Sequence, residues 1–152
     1  MRIRPLEARD GEALFGPRIR YAAQEWVDRQ GRDEIYVAVA EVDGLPVARV
    51  GLSFTNAAED VAVLWAAHVE PEWQSQGIGT ALMAHLEQVA RDRGFSIIEL
   101  LVAKDNDRAR ALYDRLGYEL CGEAVNRWVE QDEHRAETFE EICWRMRKPL
   151  DE

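Results

Sequence analysis

The chain has 152 residues, enough for one domain with a sizeable core, and 47% apolar against 32% charged residues excludes disorder throughout. Nineteen Lys and Arg against 29 Asp and Glu leave a net charge of −10. That field repels phosphate backbones, so no nucleic acid is expected as a partner, and it draws cations such as protonated amines.

At the start, Met1 to Pro5 lacks the apolar centre of a secretory signal. No apolar run approaches the roughly 18 residues that would span a membrane. Arg2 to Leu6 reads as a short strand with Ile3 and Leu6 facing inward. Asp10 suits the cap of a short helix through Leu14. A longer helix is predicted from Pro17 to Gln30, with Ile19, Trp26 and Val27 on its apolar face and Gly31 as its stop. Ile35, Val37 and Val39 alternate as a strand, Asp43-Gly44 signals a tight turn, and Val47 to Phe54 returns as the second strand of a hairpin. Asn56 to Asp60 reads as a loop. Val61 to Val69 is apolar at almost every position, as in a strand buried on both faces.

Gly79 to Arg93 is the clearest helix, with Ile78, Leu82, Leu86, Val89 and Ala90 at helical spacing and Gly94 after it. Ile97 to Val102 is another buried strand, so strand, helix and strand form a right-handed crossover with parallel strands. Asp107 to Leu116 is a second helix, with Ala109, Leu112 and Leu116 on one face and Gly117 as its stop. Glu119 to Val129 and Phe139 to Arg147 close the chain as strands. The charged stretch between them, Glu130 to Thr138, reads as a solvated loop or, more sharply, as a loop beside the substrate.

The expected fold is a single α/β domain over residues 1–149, followed by a short tail at 150–152. Its sheet is mixed and mostly antiparallel, with a central parallel pair and flanking helices. Cys121 and Cys143 lack metal-ligand spacing and read as two buried reduced thiols. No metal site is expected, and the thiols suit a cytoplasmic protein.

The informative segment joins the central strand to the long helix and reads Val69-Glu70-Pro71-Glu72-Trp73-Gln74-Ser75-Gln76-Gly77-Ile78-Gly79-Thr80. Glycines let a backbone turn sharply and approach a ligand closely. The first N–H groups of a helix have no internal partners and carry partial positive charge. A phosphate or pyrophosphate is the ligand such a turn can hold. A P-loop would need a Gly-Lys-Ser/Thr run that is absent, and a dinucleotide fingerprint would need Gly or Ala where the chain has Leu82. The pyrophosphate of coenzyme A and a tight turn with no ligand remain as readings.

Val69-x-Pro71 followed by Gln74-x-x-Gly77-x-Gly79 resembles the acyl-CoA loop of the GNAT superfamily of N-acetyltransferases. A second block, Leu100-Leu101-Val102 with Asn106-x-x-Ala109-x-x-Leu112-Tyr113-x-x-Leu116-Gly117-Tyr118, resembles that superfamily's fifth strand and following helix. The resemblance implies acetyl-CoA as cosubstrate, cradled by Gln74, Ser75, Gln76, Gly77, Ile78, Gly79 and Thr80. It also implies that the central strands splay apart, with the pantetheine arm paired to the backbone near Val69 and an N–H there polarising the thioester. The acceptor amine then attacks directly while both substrates are bound. That acceptor is a small amine, a lysine side chain or a peptide N-terminus, and the assembly is a monomer or a homodimer.

Tyr113 takes the place of the general acid in this resemblance, or else is a half-buried aromatic with a satisfied hydroxyl. Asn106 bonds the cofactor arm or caps the helix at Asp107. The central strand is apolar where the family often has a carboxylate base. His68 is the substitute, its alternative being a packed core histidine, with Glu25 and Glu99 in reserve. His85 and His134 read as surface residues. The family's loop commonly carries basic residues at the positions of Gln74 and Gln76 and glycine at that of Ser75. Here Lys104, Arg108 and Arg110 are the cations that could assist, each otherwise a solvated charge. Trp26, Tyr21, Trp65 and Trp128 could line the acceptor pocket or pack in the core. Two competing readings are a CoA-binding regulatory module without turnover and a nucleotide-binding domain of another α/β type.

Overall fold

The computed structural model describes residues 1–19, 22–55, 60–131 and 133–150; Tyr21 and most of the expected loop at 56–60 lie outside them. Seven strands form one sheet: β1 (Arg2–Pro5), β2 (Ile35–Val42), β3 (Leu45–Ser53), β4 (Val61–Val69), β5 (Ile97–Ala103), β6 (Glu119–Gln131) and β7 (Ala136–Pro149). Their spatial order is β1-β2-β3-β4-β5-β7-β6. Every neighbouring pair is antiparallel except β4 with β5. The helices are α1 (Gly11–Ile19), α2 (Ala22–Gly31), α3 (Ile78–Asp92) and α4 (Asp107–Arg115).

Helices cover both faces of the sheet, which explains why its middle strands are apolar in both parities. On one face Ile35, Val37 and Val39 pack with Leu14, Phe15 and Ala23. On the other, Ala38, Ala40 and Leu52 pack with Leu82, Leu86 and Ala90 of α3. The turn at Asp43-Gly44 has φ of 51° and 80°, the double positive φ that suits a two-residue hairpin.

Five expectations change. The helix expected from Pro17 to Gln30 is two helices, with Pro17 inside α1 and α2 beginning at Ala22. Asp10 does not cap α1. Its carboxylate accepts the Glu7 N–H at 2.8 Å and takes Arg4 through Nη1 at 2.8 Å and Nη2 at 2.9 Å, with both side chains buried. Ile3 and Leu6 belong to opposite layers, and the buried β1 residue between them is Arg4. The charged stretch 130–138 is mostly strand, because β6 and β7 stay paired out to Gln131 with Ala136. Cys143 is buried as expected, while Cys121 is only partly so, and both are free thiols. Leu150 is tied down by its N–H to the Ser96 carbonyl at 2.7 Å.

Candidate active site

The cleft arises from a mismatch between strands. Parallel pairing of β4 with β5 runs from Val61–Ile97 to Leu64–Leu100 and stops there, although the strands continue to Val69 and Ala103. On its other side, β4 pairs Trp65 with Gly51 and His68 with Arg49, spending one more residue than β3. The extra residue is a β-bulge, and Ala66 takes a positive φ of 54° within it. Gly51 admits the neighbouring ring, since a Cβ there would lie 2.6 Å from Trp65. The bulge and the early end of pairing leave a cleft of about 800 Å³ between the strand ends, floored by Leu82 and Met83 and walled by Tyr113. The second half of β4, expected to be buried on both faces, is therefore only partly buried from Trp65 onward, with Ala67 exposed.

The turn into α3 forms one end of this cleft. Ser75 (φ 64°) and Gly77 (φ 83°) both take the left-handed conformation, which turns successive N–H groups to one side. Ser75 does so with a side chain, where glycine would adopt it without strain. Among the described residues, the N–H groups of Ser75, Gln76, Gly77, Ile78, Gly79 and Thr80 have no acceptor; the first bond of α3 runs from the Ala81 N–H to the Gly77 carbonyl. Gln74 donates from Nε2 to the Val69 carbonyl at 3.1 Å and Gln76 from Nε2 to the Glu72 carbonyl at 3.1 Å, so these side chains brace the turn. Gly79 is also a close-packing position, because a Cβ there would lie 3.2 Å from Leu112.

Of the three candidate cations, one reaches the turn, from α4. Arg108 donates from Nη2 to the Ser75 hydroxyl and lines the cleft. Lys104 instead pairs with Glu123 at 2.9 Å and covers the Trp144 ring, and Arg110 pairs with Asp114 at 3.4 Å. Asn106 caps α4, its Oδ1 accepting the Ala109 N–H at 3.1 Å, and lines the cleft as well. Tyr113 is buried rather than half-buried, at 5% exposure, with its ring edge-on to Tyr118 at 5.9 Å. Burial pushes its hydroxyl up to about 12, so it holds its proton at neutral pH.

His68 is not a core histidine. Its side chain is 41% exposed at the cleft, with Nε2 3.3 Å from Glu70 Oε1. The carboxylate that β4 lacks thus stands one residue beyond its end. Glu25 is exposed and does not line the cleft, and Glu99 pairs with Arg147 at 3.4 Å and Arg145 at 3.8 Å. His85 is part-buried, not a plain surface residue. Its Nε2 lies 2.8 Å from the Tyr36 hydroxyl, and burial lowers its pKa. His134 is exposed. Trp65 lines the cleft and sits edge-on to Trp26 at 4.6 Å, while Trp128 stacks on Phe139 out on the β6–β7 ribbon.

Sequence reasoning missed Arg49, whose side chain is buried between the cleft and a second cavity. A lone cation inside the apolar run Val47-Ala48-Arg49-Val50-Gly51-Leu52 was the available signal.

A helix long and apolar enough to cross a membrane is absent among the described residues. An uncharacterized N-acetyltransferase of Methanocaldococcus jannaschii is 37% identical over 102 residues, covering 64% of this chain and 45% of the relative. The chain spans less than half the length of the curated relatives it first matches. A ribosomal-protein-alanine N-acetyltransferase from Brucella melitensis superimposes with a TM-score of 0.77 at 23% identity, covering 99% of this chain and 100% of that one. An N-acetyltransferase from Thermoplasma acidophilum in complex with coenzyme A gives 0.72 at 17% identity, covering 97% and 98%. The profile of the Acetyltransferase (GNAT) family matches residues 2–118, so the split sheet and the open turn into α3 belong to a chain of the GNAT acetyltransferase family.

Proposed function

We propose that residues 1–149 act as one catalytic domain that moves an acetyl group from acetyl-CoA to a primary amine, in the cytoplasm. The observation that carries this reading is the set of unclaimed N–H groups from Ser75 to Thr80 at the mouth of a cleft between diverging strands. Backbone donors at a helix start suit a pyrophosphate, and Arg108 adds the positive charge that the loop's own side chains lack. Val69 and Asn106 line the path from there toward Tyr113.

In this reading His68, braced by Glu70, accepts a proton from the acceptor ammonium and passes it to solvent. The freed amine then attacks the thioester carbon, so that an N–C bond forms and the C–S bond breaks. Tyr113 donates its proton to the departing thiolate, and the second proton shed by the nitrogen restores the phenol. Neither step needs a covalent acyl-enzyme, because both reactants are held together. A regulatory module without turnover was suggested by a missing carboxylate and an uncharged loop; Glu70 and Arg108 remove both motives. The acceptor side tolerates either a small molecule or a protein, as a monomer or a homodimer.

Coenzyme A at roughly a hundred times its Kd is expected to raise the Tm by about 5 °C or more, read by thermal scanning. No shift with coenzyme A or acetyl-CoA would sink the proposal. Arg108→Ala should raise the KM for acetyl-CoA about threefold to tenfold and flatten its salt dependence, leaving kcat nearly unchanged. A KM that stays put would remove Arg108 from the cradle.

A further inference from the structure

Among the described residues, Arg49 is a buried cation without a paired anion. Its side chain is 8% exposed, and its one hydrogen bond runs from Nη1 to the Leu14 carbonyl. Among the described residues, Nε is fully buried with no acceptor, and Nη2, which is not closed off, has none either. Among the described residues no carboxylate pairs with it. The guanidinium lies over the Phe15 ring at 4.5 Å and within 5.8 Å of the Trp26 ring. Burial brings its pKa down to about 10, opposed by the charge of Glu70, so it stays protonated at neutral pH. Folded proteins keep few buried cations unpaired, because desolvating the charge goes uncompensated.

The place of this cation is informative. Arg49 faces His68 across the β3–β4 register. Both residues line the main cleft and also a second cavity of about 460 Å³, whose other walls include Glu12, Phe15 and Glu70. The two cavities therefore share the wall that carries the proposed base. The second cavity presents carboxylates at Glu12 and Glu70 and a bare guanidinium at Arg49. A simple amine would leave the guanidinium unpaired, and a simple carboxylic acid would meet the repulsion of two glutamates. A zwitterion satisfies both.

Building on the acetyl-transfer reading, we infer that the acceptor is an amine that also carries a carboxylate. Arg49 binds that carboxylate through Nη2, the unbonded donor that is not closed off, while Glu70 and His68 receive the amine. The guanidinium, lodged between the Leu14 carbonyl and the Phe15 ring, thus selects amino-acid-like acceptors over plain amines of the same length. A charged guanidinium N–H to a carboxylate is among the stronger hydrogen bonds a site can offer.

The test uses matched pairs of probes on the whole protein: glycine, β-alanine, 4-aminobutyrate and 6-aminohexanoate against methylamine, ethylamine, propylamine and pentylamine. Thiol release from acetyl-CoA gives kcat/KM for each. At one chain length or more, the carboxylate-bearing member should win by about tenfold to a hundredfold, the span of a hydrogen bond to a charged group. Arg49→Met should bring that ratio close to one, and Arg49→Lys should restore part of it. In parallel, the preferred acid should raise the Tm of the wild type without acetyl-CoA, and should not raise that of Arg49→Met. The inference falls if no pair differs, or if Arg49→Met keeps the preference, while coenzyme A still shifts the Tm. If coenzyme A gives no shift and the acid still binds through Arg49, acetyl transfer fails and the carboxylate site stands. A variant that does not fold is replaced by the Arg49→Lys comparison, where an unchanged ratio counts against Arg49 as the carboxylate's partner.

Discussion

Tyr113→Phe is expected to lower kcat by about a hundredfold or more while coenzyme A still raises the Tm of the variant. The reason is the separation of two roles in one ring. The ring of Tyr113 fills space beside Tyr118 and walls the cleft, and phenylalanine keeps that packing. The hydroxyl alone can give a proton to a leaving thiolate. Burial holds it protonated up to about 12, so the loss should be equal from pH 6 to pH 9 and no rate limb should be assigned to this residue. A limb that does appear in this range and vanishes in His68→Ala would belong to the base. Turnover by Tyr113→Phe within about threefold of wild type would show that solvent protonates the thiolate instead.

Asp10→Ala is expected to cost about 3–5 kcal/mol of stability, measured by urea unfolding, and to leave coenzyme A binding intact once folded. Asp10 is fully buried and Arg4 nearly so, joined two-point, with Glu41 at 2.7 Å on Arg4 Nε. Removing the carboxylate takes the two-point acceptor from the buried guanidinium and leaves Glu41 on Nε as its closest remaining anion. Burial alone would push the Asp10 carboxyl up, but the bonds from Arg4 and from the Glu7 N–H outweigh it and hold the pKa below the usual range. A depressed carboxyl contributes stability that is present above its unfolded pKa of about 3.9. That contribution is lost as pH falls through the lower folded value. The wild type should therefore lose stability below about pH 4, and Asp10→Ala should show a smaller loss in the same window. Equal acid sensitivity in the two proteins would mean that other carboxylates govern the transition.

Much of the fold could be read from residue order because local signals and burial agree. The continuous apolar run gave β4 its bounds, Val61–Val69, and the spacing of Leu82, Leu86 and Ala90 placed α3. The misreadings have physical causes. The far half of the β6–β7 ribbon has solvent on both faces, so Arg127 can pair with Glu140 at 2.8 Å and Glu130 can face Glu137 without any apolar alternation. Pro17 looks like a first-turn residue, yet the helix around it starts at Gly11. Within the candidate site, the cradle was legible because its residues are adjacent in the chain. Arg108 on Ser75 and Arg49 against Phe15 join segments more than thirty residues apart, and no local pattern encodes such meetings. Glu70 was passed over because it lies beyond the end of the strand where a carboxylate was sought.

The donor groups at the turn into α3 are main-chain amides, which no replacement other than proline deletes. Alanine scanning would pass over most of that turn in silence, and sequence drift would leave its donors standing while the side chains around them changed. Proline would remove a donor but also fix φ, whereas exchanging single peptide links for esters by semisynthesis would make each contributor visible on its own.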